Sequence, residues 1–228
     1  MSAAPGSGGM KRALPLLLLV AACGQTPKTP APQRAGPTAH SDASSAAPAT
    51  AGAYAVDPAA SLIAVTVRRG GLLARLGHDH VVAVRTLTGQ VTPAVDRADL
   101  SFRLDGMTVD EPPLLRDAGI ATQPSAQAVE GTRHNMLGPV LDAQRYPTVS
   151  LHVERLGGDR LQVDVTLHGV TRRLLLPAAL QVDAAQVVAS GSARLKQTDF
   201  GITPFTVGAG LLAVDDELEV NYRIVARR

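Results

Sequence analysis

Strict alternation of apolar and polar residues recurs through residues 53–228 of this chain, and it leaves few folds open. In residues 160–169, Leu161, Val163, Val165 and Leu167 project one way and Gln162, Asp164, Thr166 and His168 the other. Ala98, Leu100, Phe102 and Leu104 oppose Asp99, Ser101 and Arg103, and Val149, Leu151 and Val153 oppose Ser150, His152 and Glu154. Near the C-terminus Leu218, Val220, Tyr222, Ile224 and Ala226 oppose Glu217, Glu219, Asn221 and Arg223. Successive side chains of a strand point to opposite faces. A period of two therefore marks antiparallel strands with one dry face and one wet face. Further strands are expected at 61–68, 79–86, 171–177 and 186–197, with a short one near 53–57. Gly70-Gly71, Gly157-Gly158-Asp159 and His168-Gly169 punctuate them, and the Gly158-Asp159 step predicts a hairpin. Residues 108–146 break the pattern. They hold Pro112, Pro113 and Pro124, and only residues 126–144 read as short helices. The expectation is an all-β domain: about eight antiparallel strands closed into a barrel, with one irregular, partly helical excursion at 108–146.

The N-terminal part is of another kind. Lys11 and Arg12 precede an apolar run from Ala13 to Val20, and Ala21 and Ala22 stand before Cys23, the one cysteine of the chain. Positive flank, short apolar segment and small residues read as a secretory signal peptide over 1–22, with Met10 as an alternative start. The run is too short to span a bilayer, which needs about 20 apolar residues. Val20-Ala21-Ala22-Cys23 resembles the lipobox of bacterial lipoproteins. The resemblance implies cleavage before Cys23, a lipid on its thiol, and, with Gly24 rather than Asp next, an outer-membrane anchor facing the periplasm. Residues 24–52 are rich in Pro, Ala, Ser, Thr and Gly and contain no Leu, Ile, Val or aromatic residue. Such a segment cannot bury enough apolar surface to offset its ordering entropy, so 23–52 reads as a lipidated cysteine and a tether. Fully extended it reaches roughly 90 Å. Lys11 and Arg12 are the only charges of 1–22. Without them 20 basic residues face 20 acidic ones, a balance with no attraction for nucleic acid.

A barrel of eight strands is just wide enough to be filled by side chains or to hold one slender ligand. The dry faces here are mostly Val, Leu and Ala. Such a wall suits a hydrocarbon tail, at about 0.8 kcal/mol per buried methylene. From alternation, the candidate lumen residues are Leu100, Phe102, Leu104, Val149, Leu151, Val153, Val163, Val165, Phe200, Val220 and Tyr222. The same pattern would also serve a solid core, so a filled barrel acting as a scaffold through protein partners stays open.

Several stretches resemble the YceI-like family of periplasmic, lipocalin-like proteins associated with polyisoprenoid lipids. They are 54–68 (YAVDPAASLIAVTVR), 77–80 (GHDH), 136–155, 163–177 (VDVTLHGVTRRLLLP) and 195–204 (LKQTDFGITP). The resemblance covers residues 53–228. It implies an extended eight-stranded barrel enclosing an amphiphile with a long isoprenoid tail as its ligand, with no other cofactor. The oligomeric state is left open, a dimer included.

Gly77-His78-Asp79-His80 is the most suggestive polar cluster. On a strand, His78 and His80 would share the face of Val82 and Val84. They could meet a lipid head group at the barrel rim or, with a further ligand, a metal ion, which is the basis of an alternative metal- or redox-linked reading. His134, Asp110 and Glu111 lie in the excursion and could fold over the mouth. His152 and His168 fall on polar faces and are expected to be solvated. No GxSxG, HExxH or phosphate-loop motif is present, and 208–213 (GAGLLA) matches a dinucleotide fingerprint only by letter, with no helix after it. Asp199-Phe200-Gly201 reads as a bend and Asp215-Asp216 as a charged strand entry. No catalytic set emerges, so a binding protein rather than an enzyme is expected.

Overall fold

The computed structural model describes residues 52–228. The signal-peptide, lipidation and tether readings, Cys23 included, fall outside those residues.

The sheet forms eight staves. β1 (Tyr54–Val56) and β2 (Leu62–Gly70) make the first, interrupted at 57–61, and β3 (His80–Val84) and β4 (Thr88–Thr92) the second. β5 (Arg97–Arg103) continues past a 3-10 turn (Leu104–Gly106) into β6 (Thr108–Val109) as the third. Then come α1 (Pro112–Asp117), α2 (Ala126–Asn135) and a single π turn (Met136–Val140). β7 (Thr148–Arg155) and β8 (Arg160–Leu167) are the fourth and fifth staves. β9 (Val170–Pro177) with β10 (Ala179–Val182) is the sixth, and β11 (Gln186–Lys196) the seventh. A 3-10 turn (Gln197–Phe200) and β12 (Thr206–Val207) lead to β13 (Leu212–Arg227), the eighth.

Every stave pairs antiparallel with the next in sequence, and β13 pairs back onto β2 and β1. The ladder runs round the eight staves but stays open along part of one seam, so the full closure that the alternation predicts is not reached. That seam lies between the sixth and seventh staves. Only β10 pairs with β11 there, from Ala179↔Ser190 to Val182↔Val187. Among the described residues β9 has no ladder with β11. Tyr222 bridges the gap. Its ring crosses Gly191, its register partner, and its hydroxyl donates to the Pro177 carbonyl at 2.9 Å. A Cβ at Gly191 would lie 2.6 Å from both that hydroxyl and that carbonyl, so the bridge requires a glycine.

The break in the first stave is also tied down. Ser61 is buried, its hydroxyl donates to the Val225 carbonyl and it accepts from the Val225 N–H (3.2 and 2.9 Å), replacing ladder bonds that the interruption removes. His168 and Gly169 both have positive φ (53° and 75°), the pairing a two-residue hairpin needs. His168 is nonetheless not solvated as its polar-face position suggests. It is half-buried, packed edge-on against Tyr146 with ring centroids 4.8 Å apart.

Differences from the sequence expectation have local causes. The strand expected at 79–86 is two pieces, β3 and β4. β3 is buried on both faces: Val82 and Val84 face inward, while Val81 and Ala83 pack outward against Leu114, Leu115 and Ile120. That outer cover is α1, where only irregular chain was expected. Pro112 and Pro113 begin it, where a missing N–H costs nothing. Asp215-Asp216 is not a strand entry but sits inside β13, where the pairing with β2 shifts register between Val214 and Leu218. Asp216 there accepts from the Thr198 N–H and hydroxyl (2.9 and 2.7 Å).

Candidate functional site: the barrel lumen

The inward residues of the eight staves enclose a cavity of about 450 Å³, inside the roughly 300–1,000 Å³ of ordinary ligand sites. The centre is therefore not plugged by its own side chains. Ile63, Val65 and Val67, then Val82 and Val84, then Val163, Val165 and Leu167 line it at every second position. Ten of the eleven residues proposed from alternation are on the wall: Leu100, Phe102, Leu104, Val149, Leu151, Val153, Val163, Val165, Val220 and Tyr222. Leu104 reaches it from a turn rather than from a strand. Phe200 does not. It closes the 3-10 turn before Gly201 (φ 69°) and is 0% exposed, part of the packed core rather than of the lumen surface. The wall also includes residues outside the candidate set, among them Ile63, Leu176 and Leu195. The alternation of β2, β9 and β11 carried the signal for them.

The excursion covers one end of the lumen. Thr132 and Asn135 of α2, Met136 and Val140 of the π turn, and Leu141 after it all line the cavity. At the opposite end Asp96, Arg97 and Arg155 contribute to the lining. Both arginines are paired there, Arg97 with Glu154 at 3.2 Å and Arg155 with Asp96 at 3.8 Å.

The histidines separate. β3 begins at His80, so His78 and His80 do not share a strand face. His78 stands exposed in the preceding loop. Asp79 holds that loop, accepting from the Arg69 N–H at 3.0 Å and the Arg68 guanidinium at 3.3 Å. His80 lines the cavity, with Nδ1 2.7 Å from Asp110 Oδ2. His134 is exposed on α2 and is not on the cavity wall. Glu111, also expected near the mouth, pairs with Arg85 on the surface (3.0, 3.0 and 2.8 Å). Among the described residues no group of three or more His, Cys, Asp or Glu is placed to hold a metal ion. Burial raises the Tyr222 phenol above its ordinary value, so it stays a neutral hydrogen-bond donor.

Beside the helix-covered end, two loops form an apolar patch. Leu72 is 84% and Leu76 64% exposed, and Val207 and Leu211 are also exposed. The Leu73 N–H donates to the Leu211 carbonyl at 2.8 Å and holds the loops together. Phe205 and Val214, flanking the second loop, line the cavity. No helix among the described residues is long and apolar enough to cross a membrane.

An antiparallel sheet of eight staves wrapped around an apolar lumen is the architecture of lipocalin-like proteins. Within that class the family is specific. The YceI-like domain model matches residues 54–226, and the chain belongs to the YceI-like family. Two solved structures are similar in fold. BcnA of Burkholderia cenocepacia is 17% identical, with a TM-score of 0.52 over 75% of this chain and 99% of that one. A polyisoprenoid binding domain of Saccharophagus degradans, implicated in plant cell wall breakdown, is 12% identical, with a TM-score of 0.53 over 76% and 97%. No curated protein matches the sequence.

Proposed function

We propose that the barrel binds one long-chain isoprenoid, or a related amphiphilic lipid, within its lumen, as a membrane-tethered carrier, store or sensor. The observation that carries this reading is the continuous apolar wall around about 450 Å³ of open space. Water gains little from such a wall, whereas each methylene buried against it contributes about 0.8 kcal/mol. The similar fold of a domain described as polyisoprenoid binding supports the same ligand class. The N-terminal pattern supports export and attachment through Cys23, with the tether giving the barrel reach over the membrane surface. The exposed Leu72 and Leu76 give the barrel an apolar end with which to meet that surface while a lipid enters or leaves.

Organic extraction of the protein purified from its native membranes, followed by mass spectrometry, tests this. One prenyl-chain lipid per barrel is the expected result. Protein that carries no stoichiometric lipid, and takes up none when supplied, contradicts it.

A further inference from the structure

We infer that His80 is the head-group contact of the lumen, and that the ligand carries an uncharged hydroxyl head on its tail. This rests on the lipid-binding reading above and narrows it. At the helix-covered end the polar wall groups are His80, Thr132, Asn135 and Gln197, and no Lys or Arg stands among them. Gln197 donates one amide N–H to the Asp215 carbonyl at 2.8 Å. Arg97 and Arg155 lie at the far end, each already matched by a carboxylate. A diphosphate or carboxylate head would therefore lose its hydration at the helix-covered end without gaining a cation. An uncharged head loses far less.

The construction behind His80 sets which uncharged head fits. The Asp110 side chain is 0% exposed. Its Oδ1 accepts from the Val81 N–H at 2.9 Å and its Oδ2 faces His80 Nδ1 at 2.7 Å. Oδ1 is engaged by a backbone donor, and the tautomer with the ring proton on Nδ1 gives Oδ2 a donor as well. Asp110 itself has φ 57°, a conformation rarely taken outside glycine, asparagine and aspartate, so the residue is held in an uncommon backbone state to reach this position. In the neutral ring Nε2 is then a lone-pair acceptor on an otherwise oily wall. Its complement is a donor, and a hydroxyl at the end of a prenyl chain supplies one. An ether or ester at the same position does not.

The test measures equilibrium binding of three probes to the lipid-stripped full chain: a long-chain polyprenol, its methyl ether and its diphosphate. The polyprenol is expected to bind roughly 3- to 10-fold more tightly than the ether, the range of one hydrogen bond, and more tightly than the diphosphate. His80→Leu is expected to erase the alcohol–ether difference while both still bind. Equal binding of alcohol and ether by the unaltered chain, tighter binding of the diphosphate, or a preference that survives His80→Leu would each overturn the assignment and leave the lipid-binding reading intact. Failure to bind any of the three overturns both. If His80→Leu does not fold, the alcohol–ether comparison on the unaltered chain decides alone.

Discussion

Phe200 and Tyr222 are both aromatic residues turned inward, yet they do different work. Phe200 is fully enclosed beneath a turn. Phe200→Ala is expected to cost about 3–5 kcal/mol, through lost burial and the cavity left behind, read as a lower urea midpoint. Tyr222 lies on the lumen wall and its hydroxyl closes the seam across Gly191 to Pro177. Tyr222→Phe keeps the ring and removes one hydrogen bond, so a loss of about 1 kcal/mol is expected. A loss as large as that of Phe200→Ala would show that the seam has opened rather than lost a single bond. The sequence makes both residues legible as inward. It does not distinguish wall from core at Phe200, because that depends on how the 3-10 turn folds beneath the barrel. The His80–Asp110 contact, thirty residues apart in sequence, left no local pattern to read.

At the scale of elements, period two located the strands and failed where a strand is covered twice. The run His80-Val81-Val82-Ala83-Val84 is nearly continuously apolar, which is what burial on both faces requires. That continuity was a signal for α1, the outer cover. The two prolines obscured it, since they read as breakers when they in fact start the helix. The surface ion pairs of these elements set the response to acid. Arg85 holds the Glu111 carboxyl below its ordinary value against an opposing effect of burial, Arg173 lowers Asp164, and Arg227 lowers Asp57. A carboxylate lowered in the folded state contributes stability that is present above its unfolded pKa and lost as pH falls through the folded one. Stability is therefore expected to be level from neutral pH to about pH 5, then to fall as pH drops through the ordinary carboxylate range near 4 and below it. Melting temperature measured across pH 7 to 3 checks this, and a loss already complete by pH 6 would point to histidine instead. For the apolar loops, the double change Leu72→Ser and Leu76→Ser is expected to leave the melting temperature unaltered, since both side chains face solvent. It should slow lipid pick-up from vesicles several-fold, as followed by stopped-flow fluorescence of a labelled prenyl lipid. An unchanged rate would remove these loops from the exchange step.

For the molecule as a whole, the number of staves, their antiparallel order and most of the wall could be read from the chain, because alternation reports which face each residue occupies. Whether the wall surrounds space or filler could not. An apolar cavity and an apolar core share one pattern, and only the way the eight staves wrap in three dimensions leaves about 450 Å³ unfilled. Native mass spectrometry of the lipid-stripped chain titrated with a long-chain polyprenol shows whether that space takes a lipid. The prediction is a single mass increment that saturates at one lipid per barrel, accompanied by a rise in melting temperature that grows with ligand concentration. A barrel that gains no mass, or that accumulates several lipids with no plateau and no thermal stabilisation, would contradict it.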